Sequence, residues 1–113
     1  RTRGGAVLWA VPYPQELNDI PMIVARQMDG RDFARMIVDN FDEMLAQARQ
    51  QPLVMGIALH PYLVGQPYRL RHLRGALEHL AAARDRGEIW FTTPGAICRH
   101  MDECFPEPME LLA

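Results

Sequence analysis

Hydrophobic positions along the chain fall into two alternating kinds of stretch. Short, nearly continuous apolar runs occupy residues 6–11, 53–59 and 88–92, and between them lie longer segments in which apolar residues recur every three or four positions. A continuous apolar run bounded by turn residues reads as a strand buried on both faces, the pattern of a parallel sheet. Recurrence at three and four reads as a helix with one buried stripe. The first such stripe is Phe33, Met36, Ile37, Phe41, Met44, Leu45 and Ala48, opened by Asp29 as N-cap with Asp32 three positions on and ended by Gln50-Gln51-Pro52. The second is Leu70, Leu73, Leu77, Leu80 and Ala81, opened by Pro67 at the first helical position, where its missing N–H costs nothing. Arg84 and Arg86 before Gly87 form its stop, cations suiting the helix C-terminus. Thr93-Pro94 caps a last helix carrying Ile97, Cys98 and Met101.

The order predicted is β-α-β-α-β-α, an α/β arrangement with a parallel sheet and right-handed crossovers. Three parallel strands leave two unpaired edges. The expected fold is therefore a partial (β/α) barrel of three βα units, with residues 1–113 as one domain or part of one and with self-association through the open edges. The irregular stretch 15–28, interrupted by Pro21, stands outside the repeat. Trp9 and Trp90 fall on predicted strands and read as core.

Composition narrows the function classes. The 113 residues are 49% hydrophobic with a net charge of -2, which offers no electrostatic reason for a nucleic-acid or membrane-surface partner. No apolar run approaches the roughly 20 residues that span a bilayer. The first residues, Arg1-Thr-Arg-Gly-Gly5, lack the apolar core of a signal peptide, and with no initiator Met the start reads as trimmed or as part of a longer chain. Cys98 and Cys104 match neither a disulfide scaffold nor a zinc-finger spacing, which favours a reduced, cytoplasmic setting.

Candidate chemistry gathers after the predicted strands. His60 follows the apolar run 53–59, at the carboxyl end of a strand, where α/β folds place ligands and catalysis. Asn18 and Asp19 follow the first run on the same expected rim; Asp19 is placed either to accept a substrate N–H or to orient His60, and a turn-forming Asn-Asp pair is the plainer reading. Arg69 offers a planar fork for a carboxylate or ureide carbonyl, or is one more solvated cation beside Arg71 and Arg74. His72, His79 and His100 fall on helices with no metal-ligand spacing between them.

Two segments resemble a known family. One is Val11-Pro-Tyr-Pro-Gln-Glu-Leu-Asn-Asp19; the other is Ile57-Ala-Leu-His60 continuing through Pro61, Gly65, Pro67 and Arg69 as H-P-x-x-x-G-x-P-x-R, with Thr92-Thr-Pro-Gly-Ala-Ile97 downstream. Together they are similar to the C-terminal portion of polysaccharide-deacetylase-type proteins, particularly the branch of cofactor-independent allantoinases and related cyclic-amide hydrolases. The resemblance implies a distorted (β/α) barrel that hydrolyses non-peptide carbon–nitrogen bonds, with a small-molecule or sugar substrate. It implies His60 as general acid or polariser of the intermediate, a task for which imidazole chemistry is suited, and Asn18, Asp19 and Arg69 as substrate-binding positions. The family's metal-binding Asp and two His, and its catalytic aspartate, belong to an earlier part of the fold and have no match here. No cofactor is therefore expected in this chain, and the resemblance leaves room for a divalent metal in the full-length protein. The late D-x-x-D-W segment is also missing, with Leu17-Asn18-Asp19 in its place, which favours a ureide or imide over a sugar. The chain alone is expected to be inactive. The alternative is a truncated, non-catalytic domain that self-associates or binds a small ligand.

Overall fold

The computed structural model describes residues 3, 5 and 7–106. It divides into two compact units: Pro12–Trp90, and Arg1–Val11 together with Phe91–Ala113. The larger unit contains a π-helical turn at Ile20–Ala25 and helices α1 (Gly30–Gln47), α2 (Pro61–Val64) and α3 (Pro67–Asp85); the smaller contains α4 (Pro94–Cys104).

The helices start and stop where local chemistry requires. Asp29 caps α1, its Oδ1 accepting from the Arg31 N–H at 2.7 Å, which satisfies one of the donors that a helix start leaves without a partner. Pro67 is the first residue of α3. At its end Gly87 adopts φ 74°, the Gly87 N–H donates to the Arg84 carbonyl, and the Glu88 N–H donates to the Ala83 carbonyl. This is a Schellman closure, and it needs a residue at ease in the left-handed region. Arg86 and Glu88 pair across the cap at 2.7 Å. That side-chain hydrogen bond holds the Glu88 carboxyl below its ordinary value. The N-terminal N–H groups of α4 are capped by Thr93, whose Oγ1 accepts from the Ala96 N–H.

The core of the larger unit lies between α1 and α3. Phe33, Ala34, Ile37 and Phe41 bury one face of α1; Leu73, Ala76, Leu80 and Ala83 bury the facing stripe of α3. The two helices run in the same direction: Gly30 sits against the Arg69 side chain near both N-termini, and Phe41 and Asp42 meet His79 further along both. Met22 and Ile23 of the π-helical turn, Val64 of α2 and Leu17 of the segment before the turn complete the buried cluster.

The predicted sheet does not form. Among the described residues no strand is present, so the partial barrel of three βα units is replaced by a helical structure with one isolated parallel bridge, Asn18 to Ala58. Ala6, the first residue of the first predicted strand, lies outside the described residues, as does the tail beyond Pro106. Hydrophobicity marks a tendency to be buried, whereas a strand also needs a neighbour for every backbone N–H and C=O. Among the described residues the run 53–59 finds that neighbour only at Ala58, whose N–H donates to the Leu17 carbonyl at 2.8 Å and whose carbonyl accepts from the Asp19 N–H at 3.2 Å. Leu53 and Val54 stay exposed. At residues 88–92 the Glu88 N–H is already committed to closing α3, and Trp90 and Phe91 are exposed. Trp90, expected in the core, is therefore a surface residue, while Trp9 is half-buried with its Nε1–H donating to Asp102 at 2.6 Å. Without strands among the described residues, the sheet edges expected to drive self-association are absent as well.

The segment leading into α1 turns through an unusual conformation. The Arg26 N–H reaches back to the Pro21 carbonyl at 3.0 Å, the spacing of a π turn, and Gln27 then takes φ 54°. A side chain in this left-handed region carries a steric cost that glycine does not. Gln27→Gly is expected to raise stability by about 0.5–1 kcal/mol, read as a higher urea midpoint with an unchanged slope.

Candidate active site

The site grows from the one place where the two chain segments pair. The Leu17–Ala58 and Ala58–Asp19 backbone bonds hold residues 17–19 beside residues 58–60. Asp19, next along from the bridge, caps the π-helical turn by position but sends its side chain elsewhere, making no cap hydrogen bond there. It is completely buried, the one charged residue among the described residues to be so. Both carboxylate oxygens meet His60: Oδ2 accepts from the His60 backbone N–H at 2.6 Å, and Oδ1 lies 2.6 Å from His60 Nδ1. A buried carboxylate is costly unless hydrogen-bonded, and a single residue forty-one positions away supplies both bonds.

This grip defines the imidazole. An ionised carboxylate only accepts hydrogen bonds, so Nδ1 carries a proton and donates it. The opposite edge of the ring then presents Nε2, to which no described residue hydrogen-bonds. The His60 side chain keeps 35% of its exposure, against none for Asp19, so the imidazole stays in contact with solvent while its anchor is sealed. Tyr62, itself exposed, sets its ring at 67° to that of His60 with centroids 6.0 Å apart. Such a unit can carry a proton at Nε2 in either direction, with the ring fixed in orientation and tautomer.

The loop that presents His60 is short and sterically tight. The His60 carbonyl accepts from the Leu63 and Val64 N–H groups, and Pro61 fixes the first helical position of α2. The Gly65 N–H closes α2 onto the Pro61 carbonyl, and a Cβ on Gly65 would overlap that same oxygen. Gly65→Ala is expected to cost about 1–3 kcal/mol, the usual range for forced overpacking, measurable as a lowered urea midpoint.

The remaining sequence candidates are placed differently. Asn18 turns its Oδ1 onto the Ile20 N–H at 3.2 Å and its Nδ2 toward the Pro14 carbonyl at 3.5 Å, a side-chain turn of the kind expected of an Asn-Asp pair. It also lines a cleft of about 330 Å³ with Tyr13, Glu16, Met22 and Arg26. Arg69 donates from Nη1 to the Leu63 carbonyl at 3.3 Å and lies 4.9 Å from the Tyr68 ring centroid. It ties α2 to α3 and makes no hydrogen bond to Asp19 or His60. Asp19 and His60 are thus brought together, Asn18 is adjacent through the chain, and Arg69 is held apart. Tyr62 was not singled out from the sequence; its place two residues beyond His60, across a proline that redirects the chain, is the only signal for it.

Among the described residues no group of three His, Cys, Asp or Glu side chains gathers to hold a metal ion, and both Asp19 oxygens are committed to His60. The dyad does not have the donor set of a metal site. No helix among the described residues is long and apolar enough to cross a membrane.

Comparison with known proteins bears on the family resemblance and not on the geometry of the dyad. No family profile matches the chain, and no solved structure matches it. Over 88 residues, 76% of its length, the chain is 33% identical to a protein of Schizosaccharomyces pombe (strain 972 / ATCC 24843) named "Putative polysaccharide deacetylase". The chain spans only 27% of that protein, so what it shares with a polysaccharide-deacetylase-type protein is about a quarter of such a protein's length.

Proposed function

We propose that this chain is part of a hydrolase of non-peptide carbon–nitrogen bonds, in which His60 handles the leaving nitrogen and Asp19 positions it. The observation that carries the reading is the buried Asp19 carboxylate gripping His60 at both its backbone N–H and Nδ1. In such a reaction water adds to the amide carbonyl, and the tetrahedral intermediate expels an amine. Amide nitrogen leaves poorly as an anion, so a proton must reach it as the carbon–nitrogen bond breaks. Protonated His60 donates that proton from Nε2, and the electron pair of the breaking bond stays on the nitrogen. Asp19 stabilises the imidazolium before transfer and keeps the ring aimed throughout. Activation of the attacking water falls to groups outside this chain, including a divalent metal if the whole enzyme uses one.

Two substrate classes fit. The similarity to a protein named for polysaccharide deacetylation supports the N-acetyl group of a sugar polymer. The absence of a D-x-x-D-W segment supports a cyclic ureide such as allantoin. An assay of the complete gene product on an N-acetylglucosamine oligomer and on allantoin separates them. The reading expects turnover of one, abolished in His60→Gln, and no turnover by the 113-residue chain alone; turnover of neither, or activity untouched by His60→Gln, overturns it.

A further inference from the structure

We propose that the cleft between the first turns of α1 and α3 binds a small zwitterion of the α-amino-acid class, its carboxylate held by Arg31 and Arg71 and its ammonium by Asp32. The cleft measures about 510 Å³, inside the span of roughly 300–1,000 Å³ typical of small-molecule sites. Neither Asp19 nor His60 lines it, so the site is separate from the dyad. Gly30 is what draws its two walls together: a Cβ there would stand 2.9 Å from Arg69 Cγ and 3.3 Å from Arg69 Cα. A residue without a side chain lets α1 start hard against α3. Asp29, Arg31 and Asp32 then form one wall, and Tyr68, Arg71 and His72 the other.

The charges in this cleft are balanced in sign but do not pair with one another. Elsewhere on the same helices opposite charges do pair, Arg35 with Asp39 at 3.5 Å and Asp42 with His79 at 2.6 Å. In the cleft, the side chains of Arg31, Asp32 and Arg71 make no hydrogen bond or ion pair among the described residues, and Asp29 commits one oxygen to the Arg31 N–H. A simple anion would meet Asp29 and Asp32 as well as the guanidinium groups; a simple cation would meet Arg31 and Arg71. A ligand carrying both signs finds a partner for each. Its carboxylate takes paired N–H bonds from a guanidinium fork, and its ammonium donates to Asp32 and to the second oxygen of Asp29. The exposed Tyr68 ring, with the Arg69 guanidinium 4.9 Å from its centroid, offers an apolar surface to the ligand's side chain. The basic run Arg69-Leu-Arg-His-Leu-Arg74 thereby divides its labour: Arg69 ties α3 to α2, Arg71 and His72 reach the cleft, and Arg74 lies exposed outside it.

L-Leucine is the probe, titrated into the 113-residue chain and followed by amide shifts in two-dimensional nitrogen–proton NMR. The expected result is a saturable shift confined to residues 29–32 and 68–72. Leucinamide, which lacks the carboxylate, and N-acetyl-leucine, which lacks the ammonium, should each bind at least about tenfold more weakly, the effect of one lost charge-assisted contact. Arg71→Ala and Asp32→Asn should each weaken leucine binding by at least about tenfold for the same reason, whereas Arg74→Ala leaves it unchanged. All three positions are exposed, so far-ultraviolet circular dichroism should match the wild type. The two leucine derivatives, tested on the wild type, decide the case whether or not a variant folds. No saturable shift, shifts gathered at Asp19 and His60 instead, a derivative that binds as tightly as leucine, or a titration unchanged by Arg71→Ala or Asp32→Asn overturns the proposal.

Discussion

Asp19→Ala should lower the stability of the chain by about 3 kcal/mol, the combined cost of two lost hydrogen bonds to a charged acceptor and of a donor left without a partner. The His60 backbone N–H has Asp19 Oδ2 as its partner, so truncation strands a main-chain donor at a half-buried position. Nδ1 loses Oδ1 at the same time. The figure stays below the upper end of the 3–5 kcal/mol typical of broken buried pairs, because His60 retains 35% of its side-chain exposure and water can reach part of the vacated space. It is nonetheless a large share of what a domain of this size has to lose. Asp19→Asn should cost less, about 1–2 kcal/mol: the amide keeps the shape and one acceptor, but its NH₂ faces one of the two His60 donors. Urea unfolding of the three proteins orders them wild type, Asn, Ala. If Asn and Ala cost the same, volume and not hydrogen bonding is what the site requires.

The helices were legible because their signals are local. Asp29, Pro67, Gly87 and Thr93 each act within a few residues of themselves, and each stands at the boundary that the sequence assigns it. Most of the α1 stripe was legible for the same reason, since Phe33, Ile37 and Phe41 share a face whatever the rest of the chain does; on α3 Leu73 and Leu80 were legible, while the buried Ala76 and Ala83 were not among the expected positions and Ala81 is only half-buried. The strands were not, because pairing is settled by partners far along the chain. The run 53–59 carries the composition of a buried strand, yet among the described residues its only ladder contact is with residues 17–19. Likewise Trp90 looked like core from its apolar neighbours, but the Schellman closure of α3 had already taken the backbone beside it. The Asp19–His60 contact lay between these cases. Its members were recognisable as candidates, each at the end of an apolar run, but nothing in the sequence required Asp19 to be the most deeply buried charge or to hold both the backbone and the ring of one residue.

On the proposed reaction, His60→Gln in the full-length protein should reduce kcat about 10²- to 10⁴-fold with little change in KM, the range for loss of a positioned general acid. Glutamine can still receive Asp19 through its amide but cannot deliver a proton at neutral pH. Asp19 touches His60 and not the open edge of the ring, so its contribution to rate should pass through His60. Asp19→Asn on its own is then expected to lower kcat and to alter the pH profile of kcat, because the imidazolium loses its charged partner and the ring its fixed tautomer. In the double variant Asp19→Asn/His60→Gln the losses should not multiply: once the imidazole is gone there is nothing left for Asp19 to aim. A purely architectural Asp19 gives another result. It would impair folding and leave the pH profile of the folded fraction where it was, and its effect on kcat would add to that of His60→Gln in free energy. The double variant therefore distinguishes a carboxylate that serves a reacting imidazole from one that only pins a loop.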